Sequence, residues 1–599
     1  MNLSAVTAAR CQLFLGFVTI AFHLWLVFSG LIPNLVSRPL HLALAMPWIF
    51  LWPSLQADSS QQSYWFRLSG FFLCAVGMLI CLGIAMRHDE LGDQYGFLNG
   101  QFQVVLAGLI LLVVLELARR AIGWPLPLVA LAALAYGFFG SHIPGEFGFT
   151  AIPINSFLGT LTIAEGGLWG KLTGISVNII AVFVILGAVL NAGAAGSGFM
   201  NLATATGGRL RGGAAKVSVI SSALFGSISG SASANVASTG AITIPAMNKL
   251  GYPRALSAAT EAVASSGGQI MPPLMGAGAF VMVELTGIPY TDILMAALLP
   301  ALLYFIVVWQ GINAFSQRFD LKPVSADLIP PLKVVLFTAG FFAIPFTVLL
   351  LGMFVASLTP QYAASLAILA AALLLVTDEA FGFSFKAIRE RLATACIQAG
   401  RQVATIAAII ACASIIIGVL GLTGFGVKIT SLILSGSGGQ LWLALMLTAA
   451  ACLLLGMEVP TTAAYVICIS IAGPALIELG LEPLQAHLFV FWYALLSTIT
   501  PPVCGAVFIA AGISSVNWLK VALFAMALGV GLYLIPVVMI VTPVILASKT
   551  TPLLAILVFL KSLAALWLMV NAIIAPHLWV RRVVQGLAGL GILLLPFTT

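Results

Sequence analysis

Apolar stretches about as long as membrane-crossing helices recur along nearly the whole chain. A helix needs ~20 apolar residues to cross the hydrocarbon core of a bilayer. The stretches begin and end near the following positions: Leu13–Ile32, Leu40–Leu55, Phe66–Met86, Gln101–Leu117, Trp124–Phe139, Ile175–Asn191, Ala255–Glu284, Ile293–Phe315, Val334–Val355, Ala363–Val376, Val403–Leu422, Leu441–Leu476, His487–Ile513, Val521–Leu546 and Leu553–Ile574. This pattern predicts an all-α polytopic membrane protein that crosses a lipid bilayer many times.

The positions of Lys and Arg predict how these helices are oriented. Cations of short loops stay on the cytoplasmic side of a membrane. With Arg10 inside, most cations fall inside only if Val217–Met247 and Leu441–Leu476 each enter and leave from the same side. The sequence therefore predicts two re-entrant hairpins and a cytoplasmic N-terminus. The cations predicted outside are Arg38, Arg87, Lys171, Lys428 and Lys549.

Composition supports this assignment and excludes several classes of function. The chain has 599 residues, of which 61% are hydrophobic and 7% charged, whereas soluble domains carry ~25% charged residues. The net charge of +7 does not indicate nucleic-acid binding, because basic and aromatic residues do not interleave. The sequence contains no HExxH, GxSxG or P-loop motif, so we expect neither enzymatic activity nor a bound cofactor.

Two parts of the chain repeat each other. The segment Gln269–Ala277 (QIMPPLMGA) recurs as Thr498–Ala506 (TITPPVCGA), and Gly226–Ala234 corresponds to Gly456–Ala464. The charge distribution gives the two repeats opposite orientations in the membrane. Inverted repeats with broken helices at matching positions are typical of secondary transporters, whose binding site lies between the repeats.

A Pro-Pro pair lies within an otherwise apolar helix in each repeat. Proline removes an amide donor and disrupts the preceding turn, and the freed carbonyls must then face protein, water or an ion. One interpretation is a packing kink; the other is a site for a small alkali cation at each break, completed by hydroxyls of the hairpin tip. The candidate ligands of the first cation are Ser229, Gly230, Ser231, Asn235, Gly268 and Met271. Those of the second are Gly456, Thr461, Thr462, Thr498 and Thr500.

Three charged residues within the apolar stretches need an explanation, because charges inside a membrane are rare and often functional. Glu261 lies two helical turns before the first break and either faces the cation site or pairs with a hairpin amide. Glu458 lies at the second hairpin tip and either carries a proton, holds a cation, binds a cationic substrate group or forms a structural pair. Lys561 lies outside both repeats, where we expect a structural lysine.

The motifs together resemble a known family. GSISGSASANVASTGAITIPAM (Gly226–Met247), ATEAVASSGGQIMPP (Ala259–Pro273), GMEVPTTAAYV (Gly456–Val466) and HLFVFWYALLSTITPPV (His487–Val503) are similar to the tripartite ATP-independent periplasmic (TRAP) transporters. The chain resembles a fused permease, with the small and large membrane subunits in one chain, and most closely the subfamily associated with TAXI-type binding proteins.

The resemblance implies a function and a partner. It implies a bacterial inner-membrane importer of small organic anions that is driven by an ion gradient and receives its substrate from a periplasmic TAXI-type binding protein. It also implies an elevator motion of the hairpins. The coupling ion would be Na+, with H+ as the alternative, because Glu458 stands where this subfamily usually has a small residue. The candidate substrate-binding residues are Ser233, Asn235, Gln269, Pro272, Glu458 and Pro501.

These observations divide the chain into six predicted parts. They are small-subunit-like helices (1–122), a connecting span and loop (123–174), repeat 1 (175–315, with hairpin 217–247 and broken helix 255–284), linking scaffold helices (316–402), repeat 2 (403–546, with hairpin 441–476 and broken helix 487–513) and additional C-terminal helices (547–599). The alternative functions are an ion-coupled carrier of the same architecture without a binding protein, and a channel.

Overall fold

The fold is helical wherever the structure describes it. A computed structural model describes residues 5–30, 32–52, 64–377, 384–456, 459–502, 504–576 and 579–595, and all regular secondary structure within these ranges is helical. Eleven of the described helices are long and apolar enough to cross a membrane. The prediction of an all-α polytopic membrane protein is thereby confirmed. A helix suits this environment because it satisfies its backbone polar groups internally.

Within its described residues, the first third of the chain forms nine α-helices and a π-helical turn. The π-helical residues Ser176–Ile180 continue directly into the ninth helix. The helices are α1 (Ala5–Phe28), α2 (Asn34–Phe50), α3 (Tyr64–Met86), α4 (His88–Gly92), α5 (Gly100–Ile122), α6 (Pro125–Phe139), α7 (Ile154–Thr162), α8 (Lys171–Ile175) and α9 (Ala181–Ala192).

The middle of the chain contains the first predicted hairpin and the first predicted break. A left-handed glycine, Gly230 (φ +62°), ends one hairpin helix, and Ser231 caps the next through the amide of Ala234. The helices are α10 (Ala195–Gly207), α11 (Gly213–Ser229), α12 (Ala232–Lys249), α13 (Arg254–Gly268), α14 (Gly276–Thr286), α15 (Tyr290–Phe319), α16 (Leu332–Phe354) and α17 (Pro360–Leu374).

The last third repeats this arrangement with different residues. Met457 and Glu458, which the sequence predicts at the tip of the second hairpin, lie outside the described residues. The helices are α18 (Phe385–Thr423), α19 (Phe425–Gly436), α20 (Leu441–Gly456), α21 (Thr461–Glu478), α22 (Pro483–Leu496), α23 (Gly505–Ser514), α24 (Trp518–Leu528), α25 (Val530–Val541), α26 (Pro552–Ile574) and α27 (Trp579–Leu594).

The helices surrounding the candidate site form two groups. Hairpin 1 (α11 and α12) packs against α13, and hairpin 2 (α20 and α21) packs against α22. Break 1 (residues 269–275) separates α13 from α14, and break 2 (residues 497–504) separates α22 from α23. We call α11–α14 with α20–α23 the hairpin bundle. The second group, which we call the frame, consists of α18 and the helices packed around it, α1, α2, α5, α6 and α9.

The longest described helix extends well beyond its apolar part. α18 has 39 residues and begins at Phe385, whereas the hydrophobic pattern places its span at Val403–Leu422. The preceding turns carry Lys386, Arg389, Glu390 and Arg391, and hydropathy does not detect a helix that continues through charged residues. The sequence-based division at residue 402 consequently falls within one continuous helix.

Lys561 has the structural role that its position predicts. Its ammonium group donates a hydrogen bond to the carbonyl of Leu595, just beyond the end of α27. A cation is favourable there because the C-terminal end of a helix carries partial negative charge and unsatisfied carbonyls.

Hairpin 1 and α13 cross at a point where neither helix has a side chain. A Cβ atom added to Gly268 would lie 2.5 Å from the Cα of Gly226, and one added to Gly226 would lie 2.6 Å from the Cα of Gly268. Contacts this short involve backbone atoms, which cannot rotate away. Only glycine at both positions permits the observed approach.

We expect Gly268→Ala to destabilise the protein, because the added methyl group overlaps the backbone of Gly226. Overpacking of this kind typically costs ~1–3 kcal/mol. The matched control is Gly108→Ala within α5, where an added Cβ meets nothing within 4 Å. Thermal unfolding of the detergent-purified variants measures the difference, and equal midpoints for the two variants would contradict the crossing.

Candidate functional site

Both hairpins and both breaks border a single cavity of about 900 Å³. The sequence repeat predicts this convergence, since transporter sites lie between inverted repeats. The hairpins and the breaks line their side of the cavity with polar side chains and backbone groups. From hairpin 1 and break 1 the lining includes Ser229, Gly230, Ser231, Ser233, Ser238, Gln269 and Gly276; from hairpin 2 and break 2 it includes Gly456, Pro460, Thr461, Thr462, Ser497, Thr498 and Gly505.

The frame provides the opposite side of the cavity. α18 contributes Gln398, Arg401, Gln402 and Thr405, and α9 contributes an apolar patch that includes Phe183. Arg401 is the one ionisable side chain among the described residues that line the cavity. Sequence reasoning used Arg401 only to assign topology. The spacing of polar residues at i, i+3, i+4 and i+7 ahead of an apolar stretch is the signal that could have identified this face.

A side-chain hydrogen bond and a close backbone contact connect hairpin 1 to break 1. The amide of Gln269 donates to the carbonyl of Gly230 over 2.9 Å. A Cβ on Gly230 would lie 3.1 Å from the Cα of Gly276. At the other end of the break, the hydroxyl of Tyr290 donates to the carbonyls of Pro273 and Leu274. Two carbonyls of the first break, those of Pro273 and Leu274, are therefore satisfied by the protein.

In the second repeat a hydroxyl group connects the hairpin to the break. Ser497 donates to the carbonyl of Gly456, the last residue of α20, over 2.8 Å. Thr498 and Ser266 share a hydrogen bond of 2.8 Å, which joins break 2 directly to the end of α13. The two halves of the candidate site are thus in contact with each other, as the inverted repeat predicts.

The candidate ligands fall into two sets. Ser229, Gly230, Ser231, Gly456, Thr461, Thr462 and Thr498 line the cavity, as do the substrate candidates Ser233 and Gln269. Outside the lining are Asn235, Gly268, Met271, Pro272, Thr500 and Pro501. Glu458 lies outside the described residues. The first set can offer hydroxyl and carbonyl oxygens, the ligands that hard cations prefer, to a bound solute or ion.

Asn235 and Thr500 make protein contacts in place of cavity contacts. The buried Asn235 donates to the carbonyl of Ser222 over 2.9 Å, and its Oδ1 lies 3.2 Å from the hydroxyl of Thr239. Thr500 donates to the carbonyl of Leu496 and lies 2.8 Å from the hydroxyl of Tyr533. Neither orientation can be read from a linear sequence, since it depends on which helix face meets the neighbouring element.

Glu261 is surrounded by hydroxyl groups from three helices. Its side chain is fully buried, and both carboxylate oxygens accept hydrogen bonds. The donors to Oε2 are Ser218 (2.6 Å) and Thr243 (2.5 Å); the donors to Oε1 are Ser222 (2.8 Å), Ser265 (3.1 Å) and Thr239. No Lys or Arg of the described chain forms an ion pair with Glu261.

The hydroxyl cage determines what this carboxylate can do. A carboxyl group has about four lone-pair sites, and five hydroxyls lie within hydrogen-bond distance of the two oxygens of Glu261. The sequence predicts either the cation site or an amide as its partner, whereas the observed partners are hydroxyls of α11, α12 and α13. Their i, i+4 spacing (Ser218 and Ser222, Thr239 and Thr243) is a signal that could have indicated the cage. Glu261 binds hairpin 1 and α13 into one unit.

Comparison with known proteins identifies the architecture. The family model for the tripartite ATP-independent periplasmic transporter, DctM component, matches residues 109–554. The protein y4mL of Sinorhizobium fredii is 28% identical over 207 residues, which are 32% of this chain and 49% of that protein. The chain thus spans about half the length of that relative.

Two further relatives carry transport names. The C4-dicarboxylate TRAP transporter large permease protein DctM of Pseudomonas aeruginosa is 24% identical over 339 residues, or 56% of this chain and 77% of that protein. The isethionate TRAP transporter permease protein DctMQ of Oleidesulfovibrio alaskensis is 24% identical over 422 residues, or 66% of this chain and 65% of that protein. Since the family model covers well over half of the sequence, the chain belongs to the DctM component family of the tripartite ATP-independent periplasmic transporters.

Proposed function

We propose that the protein is an ion-gradient-driven secondary importer of small organic anions across the bacterial inner membrane. It receives its substrate from a periplasmic binding protein of the TAXI type. The observation that carries the proposal is the single cavity bordered by both hairpins, both breaks and the frame. A site enclosed by two repeats of opposite orientation is suited to alternating access, in which one set of helices moves against another.

The organisation of the helices supports an elevator motion. The hairpin bundle is connected internally by the Glu261 cage, by Gln269 and by the Ser266–Thr498 hydrogen bond. The frame is held separately by the packing of α1, α2, α5, α6 and α9 around α18. The hairpin bundle therefore moves as a unit against the frame and carries the polar face of the cavity with it.

The substrate class rests on the relatives and on the charge of the cavity. The names of two relatives specify C4-dicarboxylates and isethionate, which are small anions. Arg401 gives the described cavity lining a positive charge. We also propose that residues 1–122 are a fused small-subunit-like part.

The orientation follows from the charge distribution, with the N-terminus in the cytoplasm and both hairpins re-entrant. Three of the described ion pairs support it, since the alternation of the spans places both partners of each pair on the same side. Arg38 pairs with Glu165 (3.5 Å) and Lys549 with Asp292 (2.5 Å) outside, and Arg211 pairs with Asp320 (3.0 Å) inside.

We expect proteoliposomes that contain the protein to accumulate a small dicarboxylate or isethionate when an inward sodium or proton gradient is imposed. Uptake should also require the cognate periplasmic binding protein. The measurement is radiolabelled uptake with each gradient alone, with both and with neither. Equal uptake under all conditions would indicate a channel and contradict secondary transport. Coupled uptake without the binding protein would identify a self-sufficient carrier.

We expect Glu261→Gln to slow uptake and lower the unfolding temperature, because an amide NH2 group faces hydroxyls that previously donated to oxygen. Leaving buried polar groups unsatisfied costs ~1–3 kcal/mol. The control is Glu90→Gln at an exposed position. Uptake rate and thermal stability equal to those of the wild type would show that the cage is not required.

We expect Glu458→Gln to change the coupling-ion dependence of uptake, because a carboxylate at the second hairpin tip can carry a proton or hold a cation. Glu458→Gly restores the small residue usual in the TAXI-associated subfamily and should leave sodium as the coupling ion. Uptake at several pH values with and without sodium measures this effect. Identical ion dependence in both variants and the wild type would exclude a role for Glu458.

A further inference from the structure

We infer that Arg401, assisted by Gln398 and Gln402, forms a binding subsite for the acidic group of the substrate on the frame side of the cavity. The identity of its ligand, a small carboxylate or sulfonate, rests on the proposed function. It is separate from the hairpin tips, where the sequence motifs place the candidate substrate and cation ligands.

The geometry of α18 brings these side chains together. Residues at i, i+3 and i+4 share one face of a helix, so Gln398, Arg401 and Gln402 project in one direction, and Thr405 continues the face by another turn. All four line the cavity. Beyond Val403, α18 is otherwise apolar. The polar face formed by these four residues is therefore the part of α18 that meets solvent within the cavity.

The chemistry of this face suits an anion with a short carbon skeleton. A guanidinium group binds carboxylate and related oxyanions through two parallel hydrogen bonds. The carboxamides of Gln398 and Gln402 supply further donors without adding charge. Elsewhere in the lining, Phe183, Phe225 and Phe280 form apolar surface, which can receive methylene groups.

The position of the subsite makes it specific to one state of the transport cycle. The cavity also reaches Ile122, at the end of α5, and Asn191, near the end of α9. Ile122 follows Arg119 and Arg120, which the charge distribution places in the cytoplasm. Arg401 thus lies toward the cytoplasmic end of the cavity, on the frame rather than on the moving hairpin bundle.

A group fixed to the frame can contact the substrate only when the hairpin bundle faces it. The anion consequently gains the contact with Arg401 in the inward-facing state and loses it when the bundle moves outward. A ligand shifts a conformational equilibrium by its difference in affinity for the two states. The subsite therefore receives the anion before its release and favours the inward-facing state while it is occupied.

Binding of simple anions to the purified full-length protein tests the subsite. Thermal unfolding is followed in detergent, in sodium-free choline buffer, during titration with succinate, isethionate and a panel of other small carboxylates, with succinamide as the uncharged comparison. Because Arg401 belongs to the frame, we expect the anion-induced shift to persist without sodium. For Arg401→Gln the titration midpoint should rise about tenfold or more, the loss expected for a charge-assisted contact.

Two further variants distinguish loss of the subsite from loss of the fold. Arg389→Gln removes a cation from the exposed start of the same helix and should bind anions like the wild type. Arg401→Lys keeps the charge without the paired donors and should fall between the wild type and Arg401→Gln. If Arg401→Gln unfolds at a lower temperature without anion, Gln402→Leu provides the second measurement, with a smaller loss expected.

The outcomes separate the subsite from the proposed function. Equal anion affinity in wild type, Arg401→Gln and Gln402→Leu would overturn the subsite, even if uptake is normal. A wild-type protein that binds no anion of the panel would overturn it as well. Anion binding that depends on Arg401, in a protein that catalyses no coupled uptake, would retain the subsite and reject the importer.

Discussion

The hydrocarbon core of a membrane offers no hydrogen-bond partner to a backbone amide or carbonyl, so every interrupted helix must find partners within the protein. The two breaks in this structure meet that requirement locally. Tyr290 donates to the carbonyls of Pro273 and Leu274, and Gln269 connects break 1 to Gly230. Each break in turn supplies a side-chain donor to the hairpin beside it, Gln269 to Gly230 and Ser497 to Gly456.

This requirement also explains why so many small residues occur in the first repeat. Glycine residues let helix backbones approach closely in lipid. Gly226 and Gly268 meet where α11 and α13 cross. The serines and threonines of α11 and α12 have a second purpose, since they supply the donors around Glu261. In one part of hairpin 1 the small residues allow close packing, and in neighbouring turns the serines and threonines form the cage around Glu261.

Sequence patterns located the elements better than they oriented the side chains. The apolar stretches, the repeat and the two Pro-Pro pairs place the breaks correctly along the chain, because these features depend on local composition. They could not show that Asn235 faces Ser222 and Thr239 within hairpin 1. The spacing around Arg401 indicates a shared polar face on α18, but it could not show that this face lines a cavity. Both orientations are set by contacts between helices far apart in sequence. The apolar pattern also began α18 too late, at Val403, because the helix starts with charged turns that do not add hydropathy.

The separation of charge within the structure connects the candidate site to ion coupling. Arg401 stays with the frame, whereas Glu261 belongs to the hairpin bundle and moves with it under the proposed mechanism. Under that mechanism, a bundle that carries an organic anion moves negative charge through a region of low dielectric, where uncompensated charge is costly. A cation bound at a hairpin tip would offset this charge. In the proposed mechanism, co-transport of cations lowers the electrostatic cost of moving the loaded bundle, and the positive charge of Arg401 acts where the bundle has stopped and the anion is about to leave it.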